Sequence, residues 1–223
     1  MKFGHARELE DALVYLPRKS VVEFRRGQPI YDEHTPSGGI YLIVKGRVKV
    51  IRISEDGTQT VIGIFASDQF FGAVGLLGPT RETERALALE HVALMVWSTG
   101  EIEEQIERQP RLGIALMQVL VGRCLDCSER LLSMATDKTP ERIALTLLRF
   151  ARRQSIQNME DGSVRIAPMT HQLISEYVGT SREIVTFQMN QLRHQGLIRY
   201  SRKGIDVYAD ALQVHLQKRD LSL

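Results

Sequence analysis

The sequence predicts an α+β protein: an N-terminal β-roll of the double-stranded β-helix or jelly-roll type, a long helix, and a C-terminal winged helix-turn-helix. Three observations predict it. Short alternating apolar runs separated by glycines fill residues 21–97. Helical periodicity then runs from residue 101 to about 136, interrupted only near Pro110. Two short amphipathic helices around Gly179 precede a strand pair with a basic turn. We therefore expect three segments, at 1–100, 101–136 and 137–223.

The composition is that of a globular protein, with 43% hydrophobic and 25% charged residues among 223. No apolar run approaches about 18 residues and the start shows no signal-peptide pattern, so we expect a cytoplasmic protein with no membrane partner. Lys and Arg number 17 against 19 Asp and Glu before Thr139, and 12 against 8 from there onward. The basic C-terminal part agrees with nucleic-acid binding.

The β-roll is expected from apolar runs bounded by glycines, because alternation favours half-buried strands. Before it, Leu9, Leu13 and Leu16 recur at helical spacing and predict a short helix ended by Pro17. The runs that predict strands are 21–24, 40–44, 48–53, 60–65 and 86–96.

The long helix carries a seam at coiled-coil spacing. Its members alternate spacings of four and three: Leu120, Cys124, Cys127, Leu131 and Met134. Such a seam needs a partner helix, and the simplest partner is the same helix of a second chain in a parallel symmetric homodimer. Both cysteines are interpreted as packing residues. The alternative is an intersubunit disulfide or a zinc site built from four sulfurs.

After the long helix, Pro140 suits the first turn of a new helix, and the residues around Asp161 predict a loop or hairpin. Thr170 is expected to cap the first helix of the helix-turn-helix, Gly179 to make the turn, and Ser181 to cap the second helix. One face of that second helix is apolar, formed by Val185, Met189 and Leu192.

The opposite face of the second helix is predicted to be exposed. It consists of Glu183, Thr186, Phe187, Asn190 and His194, with Arg182 at its edge. Residues 197–200 and 205–208 predict a hairpin whose tip presents Arg202 and Lys203 to phosphate. The alternative is an ordinary packing corner, in which Glu183 closes a capping box onto Thr180.

The stretch Gly179-Thr180-Ser181-Arg182-Glu183-Ile184-Val185, followed by Gly196-Leu197-Ile198, resembles the DNA-binding domain of the Crp/Fnr family of bacterial transcription regulators. The resemblance implies that Arg182 and Glu183 contact base edges, while Ser181, Thr170, Arg202 and Lys203 position the DNA backbone. A third base-reading position, commonly Arg, is Phe187 here. Phe cannot pair with guanine but can touch a thymine methyl or respond to DNA shape.

The same resemblance implies the partners. They are double-stranded DNA with a roughly palindromic site, a second copy of the chain bound through residues 101–136, and RNA polymerase, as for an activator. Two recognition helices would then enter successive major grooves about 34 Å apart.

In the N-terminal part, Asp68-Gln69-Phe70-Phe71-Gly72 resembles the cyclic-nucleotide-binding β-roll of that family. There a Glu in the next turn holds the ribose and a later Arg-Ser pair binds the cyclic phosphate. Here Ala73 stands where the Glu is expected. Residues 80–85 can be aligned with either Glu82-Thr83 or Thr83-Glu84 on the Arg-Ser pair, and neither alignment supplies both members of the pair. Either alignment adds a carboxylate that would repel phosphate. Cyclic AMP is therefore not the expected effector, and no resident cofactor or metal is predicted.

Two interpretations of the effector region remain open. Arg81 or Arg85 binds another anion, much as the nitrogen-responsive branch of the family binds a keto acid. Alternatively Ala73, Val74 and Leu76 pack the roll and the cavity is vestigial. The candidate effector residues are Gly72, Ala73, Val74, Gly75, Arg81, Thr83, Arg85, Cys127 and Ser128, the last two lying where related regulators place hydroxyls against the ligand.

These features favour a homodimeric, sequence-specific DNA-binding transcription regulator with a sensor domain. One alternative is a ligand-binding signalling subunit that controls a protein partner, and another is a thiol-based redox-sensing regulator. An enzyme is not predicted, because the sequence contains no Gly-rich phosphate loop, metalloprotease helix or nucleophile elbow.

Overall fold

The computed structural model describes residues 10–54, 56–77 and 84–220, with the backbone alone at residues 77 and 218–220. The chain divides into two compact units, Met1–Glu129 and Arg130–Leu223, and the boundary falls within the long helix. Among the described residues, no helix is both long enough and apolar enough to cross a membrane.

The described part of the first unit forms eight strands in two antiparallel sheets, followed by two helices. The strands are β1 (Val22–Phe24), β2 (Pro29–Tyr31), β3 (Gly39–Lys45), β4 (Val48–Ile53), β5 (Gln59–Phe65), β6 (Phe70–Phe71), β7 (Glu84–Ala88) and β8 (Val92–Ser98). One sheet has the order β1-β8-β3-β6 and the other β2-β7-β4-β5. The predicted β-roll is thereby confirmed.

Strand β3 carries the packing of this unit on both of its faces. Tyr41 and Ile43 point into the core between the two sheets. Ile40 and Leu42 point the other way, into a second cluster that includes Trp97. Because successive strand side chains alternate between faces, one apolar strand serves both clusters.

Two helices follow, α1 (Thr99–Arg108) and α2 (Arg111–Thr136), separated near Pro110 as predicted. A capping box begins α1: the Ser98 N–H donates to Glu101 Oε2 at 2.8 Å, and the Ser98 hydroxyl accepts from the Glu101 N–H. The first turns of α2 bury Leu112, Ala115 and Leu116 in the second cluster. Helix α2 then continues to residue 136 with most of its apolar side chains exposed.

Some strand predictions for the first unit were wrong. The run 86–96 is two strands, β7 and β8, because the chain turns at Glu90 and His91. Strands β2 and β6 were not predicted, since they are only three and two residues long. In place of the predicted N-terminal helix, the described residues hold one 3-10 turn, Ala12–Val14, capped by Asp11; Leu9 lies outside them.

Besides the last turns of α2, the described part of the second unit contains four helices and a four-stranded antiparallel sheet of order β11-β12-β10-β9. Its elements are α3 (Thr139–Arg153), β9 (Ser155–Asn158), β10 (Val164–Ile166), α4 (His171–Val178), α5 (Arg182–His194), β11 (Ile198–Ser201), β12 (Gly204–Val207) and α6 (Ala209–Asp220). Helix α3 has Pro140 in its first turn and buries Ile143, Leu147 and Phe150, as predicted.

A buried carboxylate holds this sheet together. Asp206 on β12 is fully buried and accepts two hydrogen bonds from Arg165 of β10, at 2.5 and 2.9 Å. Arg199 of β11 donates to the same carboxylate at 3.0 Å and pairs with Asp161 at 3.1 Å. Hydrogen bonds from Arg165 and then Arg199 lower the pKa of Asp206. Three strands are therefore joined through one charge-assisted network.

We predict that Asp206→Asn destabilises the second unit, because it leaves the mostly buried Arg165 without its counter-charge. The unfolding midpoint should fall by at least about 4–8 °C, the shift that roughly 1 kcal/mol causes in a unit of this size. Thermal unfolding with hydrogen exchange on peptides spanning 160–208 would measure it.

The pH dependence of this loss has a defined sign. Since the folded-state pKa of Asp206 is lowered, its stabilisation is complete above the unfolded value of about 3.9 and disappears as the pH falls through the folded value. The unfolding midpoints of the wild type and of Asp206→Asn should therefore converge at acid pH. Glu160→Gln, at an exposed carboxylate, is the control. Equal stability of both variants at neutral pH would contradict the prediction.

Candidate nucleic-acid interface

The turn between α4 and α5 forms as the sequence predicts. Thr170 caps α4, its hydroxyl accepting from the Leu173 N–H at 3.1 Å. Gly179 ends α4 with φ 76° and ψ 55°, a left-handed conformation that favours glycine. Ser181 then caps α5, its hydroxyl accepting from the Ile184 N–H at 3.3 Å. The two helices are thus closely linked with their ends satisfied.

Helix α5 is buried on one side only. Val185, Met189 and Leu192 are completely buried, and Gln188 on the same side is also buried. The predicted outer face is confirmed as solvent-facing: Arg182, Glu183, Phe187 and His194 are exposed, while Thr186 and Asn190 are half-buried. Helix α5 therefore presents a polar surface with one large aromatic ring.

The capping-box alternative for Glu183 is wrong. Ser181 is the N-cap, so Glu183 is the second residue of α5 rather than the third. Hydrogen bonds from its own backbone N–H and from the Ser181 hydroxyl lower the pKa of the Glu183 carboxyl. Glu183 thus stays ionised and exposed at the start of the helix, where it can accept a hydrogen bond from a base edge.

A chain of hydrogen bonds that sequence reasoning missed ties α5 to α4 and β11. The Thr186 hydroxyl donates to the Arg182 carbonyl at 2.9 Å, which leaves its oxygen to accept from His171 Nδ1 at 2.8 Å. His171 Nε2 then accepts from the Tyr200 hydroxyl, also at 2.8 Å. Burial, followed by the charge of Arg182, lowers the pKa of His171, consistent with this neutral tautomer.

The predicted basic hairpin is confirmed, but its turn between β11 and β12 has two residues rather than the four, 201–204, that the predicted strands left between them. Arg202 and Lys203 form its exposed tip. Gly204 follows at a point where an added Cβ would lie 2.0 Å from the Ile166 carbonyl oxygen of β10. Glycine is needed there because two backbones approach closely.

Arg182 also lines an open cleft of about 470 Å³ beside the start of α4, with Met169, Thr170, His171 and Gln172. The early N–H groups of α4 and the guanidinium of Arg182 make this a positive part of the surface. The arrangement suits phosphate oxygens next to the exposed face of α5.

The candidate effector residues are only partly brought together. Gly72–Gly75 form a tight turn in which Gly75 N donates to the Gly72 carbonyl at 2.9 Å. Ser37 and Thr99 donate to the carbonyls of Gly72 and Gly75, both at 3.2 Å. Ala73 and Val74 in this turn are half-buried. Arg81 and Thr83 lie outside the described residues.

The remaining effector candidates are differently placed. Arg85 is half-buried, and its guanidinium forms an ion pair with Glu33. Cys127 and Ser128 are exposed on α2. The positive charge of Arg85 is therefore already matched by a carboxylate of the protein.

The interior of the β-roll contains aromatic rings that the sequence analysis did not single out. Phe71 stacks on Tyr41 and Phe65, with ring centroids 5.0 and 6.0 Å apart. Tyr31 lies 5.6 Å from Tyr41, centroid to centroid. The Arg123 guanidinium of α2 lies 5.0 Å above the Phe65 ring.

A carboxylate accompanies these rings. Glu84 Oε1 accepts from the Tyr31 hydroxyl at 2.7 Å. Burial, with the charge of Glu84, raises the pKa of Tyr31. Burial lowers the pKa of the Arg123 guanidinium, and the charges of Tyr31 and Glu84 partly offset this. The charges of Arg123 and Glu84 thus interact electrostatically within the roll.

Comparison with known proteins extends over both units. A family model described as a cyclic nucleotide-binding domain matches residues 21–109, and one described as a Crp-like helix-turn-helix domain matches residues 141–211. Among solved structures, FixK2 from Bradyrhizobium japonicum superposes with a TM-score of 0.75, covering 87% of this chain and 95% of that one. At 21% sequence identity, this likeness shows the fold alone.

Sequence relatives decide the family. The chain is 28% identical over 185 residues to the CRP-like cAMP-activated global transcriptional regulator of Mycobacterium tuberculosis, covering 82% of each protein. It is 31% identical over 173 residues to the cAMP-activated global transcriptional regulator CRP of Salmonella typhimurium, covering 76% of this chain and 80% of the relative. With both family models matched and the Salmonella relative aligned over three quarters of the chain, the protein belongs to the Crp/Fnr family and is a DNA-binding transcription regulator of that type.

Proposed function

We propose that the protein works as a homodimer that binds a roughly palindromic site through α5 of each subunit. Residues 1–100 would be the sensor, 101–136 the dimerisation helix and 137–223 the DNA-binding domain. The observation that carries the proposal is the exposed polar face of α5, with its opposite side completely buried at Val185, Met189 and Leu192. Such a helix presents side chains to a groove in a fixed orientation.

Each residue of the interface has a proposed role. Arg182 donates to guanine and Glu183 accepts from the cytosine amine, since these are the pairings that their geometry allows. Arg202 and Lys203 bind phosphate at the tip of the β11–β12 hairpin, which is the wing of this domain. The helix caps at Thr170 and Ser181 direct backbone N–H groups to the same DNA strand. The half-buried Thr186 and Asn190, with Phe187 and His194, complete the surface.

The homodimer is supported by the exposed apolar side chains of α2. Leu120, Leu131 and Met134 are 39%, 62% and 57% exposed in the single chain, and both seam cysteines are exposed as well. A row of this kind on a long helix is unfavourable in water and is buried by a parallel copy of itself. The thiols share the exposure of the whole seam, so we assign them to packing.

Helix α2 also connects the proposed sensor to the helix-turn-helix. Its residue Arg130 places a guanidinium 4.1 Å from the Tyr177 ring centroid of α4 and donates to the Tyr177 carbonyl at 3.3 Å. Any change in the last turns of α2 would therefore act directly on the helix-turn-helix. Family membership further supports RNA polymerase as a partner and action in the cytoplasm.

The sensor is proposed not to take cyclic AMP, although two relatives are cAMP-activated by name. Ala73 lacks the carboxylate that holds the ribose, and Arg85 is paired with Glu33. Inside the roll, Glu84 would repel a phosphate near Arg123. A different effector, or none, fits these residues better.

The function is tested by Arg182→Ala in binding assays on a site selected from random DNA. We expect a loss of about 1–3 kcal/mol and relaxed preference at one base pair of each half-site. Lys203→Ala should weaken all sequences alike and reduce the slope of log affinity against log salt by about 1. Lys45→Ala, an exposed lysine of the other unit, is the control. Unchanged affinity of Arg182→Ala for the selected site would refute the role of α5.

The dimer is tested by Leu131→Glu, which places a charge in the seam. Sedimentation should find the wild type at twice the 25.3 kDa chain mass and the variant as a monomer, because the buried charge has no partner. Ile156→Glu changes a comparably exposed apolar residue outside α2 and should remain dimeric. A monomeric wild-type protein would exclude the proposed assembly.

The sensor assignment is tested by titrating cyclic AMP into the protein in a calorimeter. No saturable heat is expected up to about 1 mM, and the unfolding midpoint should not rise, since only a ligand of the folded state raises it. The Salmonella relative provides the positive control. Saturation at one site per chain would show that the departures at Ala73 and Arg85 are tolerated.

A further inference from the structure

Two large apolar side chains of α5 lie outside its buried face and are exposed to solvent. Ile184 and Phe187 are 45% and 65% exposed, whereas the other apolar residues of this helix, Val185, Met189 and Leu192, are completely buried. The two exposed residues are three positions apart and are therefore neighbours on the helix surface. They form a continuous apolar patch, which we name the Ile184–Phe187 patch.

This patch lies among the polar residues of the proposed reading face. At about 100° per residue, Phe187 falls near the centre of the exposed side, close to Glu183, Asn190 and His194. Ile184 falls on one flank and Arg182 on the other. The first two turns of α5 therefore present a charged half beside an apolar half.

Phe and Ile have no side-chain donor or acceptor, so neither can recognise the hydrogen-bonding pattern of a base pair. In the major groove of unmodified DNA, the apolar group at the base edges is the C5-methyl of thymine. Contact between this methyl and an exposed apolar side chain removes water from both surfaces, which is favourable. A cytosine or purine at the same position offers no such gain.

We infer that the Ile184–Phe187 patch reads thymine methyl groups at neighbouring base pairs of each half-site. This inference rests on the proposed function, because it requires α5 to enter the major groove. It adds the base that the helix selects beside the pair read by Arg182 and Glu183. A protein partner is the less favoured occupant, since Arg182 and Glu183 lie on the same turns and the basic wing tip follows.

The test removes the methyl group without changing any hydrogen bond. A site selected by the wild type from random DNA is resynthesised with deoxyuridine replacing each thymidine in turn, and affinity is measured by fluorescence anisotropy at constant salt. Uracil at one or two positions of each half-site should weaken binding by about threefold to tenfold, as expected for one buried methyl group. Uracil elsewhere in the site should have no effect.

Variants assign the effect to the two side chains. Phe187→Ala should bind the thymine site more weakly and lose the uracil effect at one position, and Ile184→Ala should do the same at the adjacent position. Folding is expected to be intact because both residues are exposed, and circular dichroism would verify it. Ile156→Ala removes an exposed apolar side chain from β9 and should keep the full uracil effect. Repeating the selection with Phe187→Arg should replace thymine by guanine.

Different failures are distinguishable. If no duplex DNA is bound, the proposed function falls. If DNA is bound but the selected half-site contains no thymine, or uracil has no effect anywhere, the inference falls and the function stands. The inference also falls if the uracil effect survives unchanged in both alanine variants, which would leave the patch to a protein partner.

Discussion

The burial of one side of α5 is the constraint on which the DNA-binding unit depends. Val185, Met189 and Leu192 have no remaining exposure, so the helix cannot rotate without exposing apolar surface. Its neighbours α3, α4 and β11 contact it from the inner side. Because the inner side is held, the outer side projects its residues in a fixed arrangement. The proposed base-edge contacts need such an arrangement, since they require side chains that are already oriented.

Two polar networks extend this rigidity to the wing. The buried Asp206 joins three strands through Arg165 and Arg199, and the neutral His171 links α5 to Tyr200 at the base of the hairpin. The first network satisfies a fully buried carboxylate and the second joins half-buried and exposed side chains, so both hold the hairpin relative to the helix. Helix α5 and the β11–β12 hairpin are therefore held in one arrangement, as the proposed contact with a groove and its phosphates requires.

The β-roll follows a different principle. Its sheets enclose Tyr31, Tyr41, Phe65 and Phe71; Glu84 accepts from the Tyr31 hydroxyl, and the Arg123 guanidinium lies over the Phe65 ring. A fold associated with cyclic-nucleotide binding thus contains, in this chain, side chains that satisfy one another. Packing of β3 on both faces holds the roll together without any ligand, so the scaffold is compatible with the proposed change of effector.

Local pattern in the sequence determined α4, α5 and the glycine turn between them, the basic β11–β12 hairpin, the break at Pro110 and most strands. These features depend on periodicity and caps within a few residues. It also indicated the family. Strands β2 and β6 were too short to carry a period, and the turn within 86–96 depended on pairing with distant strands. The His171–Tyr200 bond joins residues 29 positions apart, and Asp206 lies 41 positions from Arg165. Only tertiary structure decided these contacts and the exposure of Ile184, because a helical wheel gives direction but not the neighbours that cover a side chain.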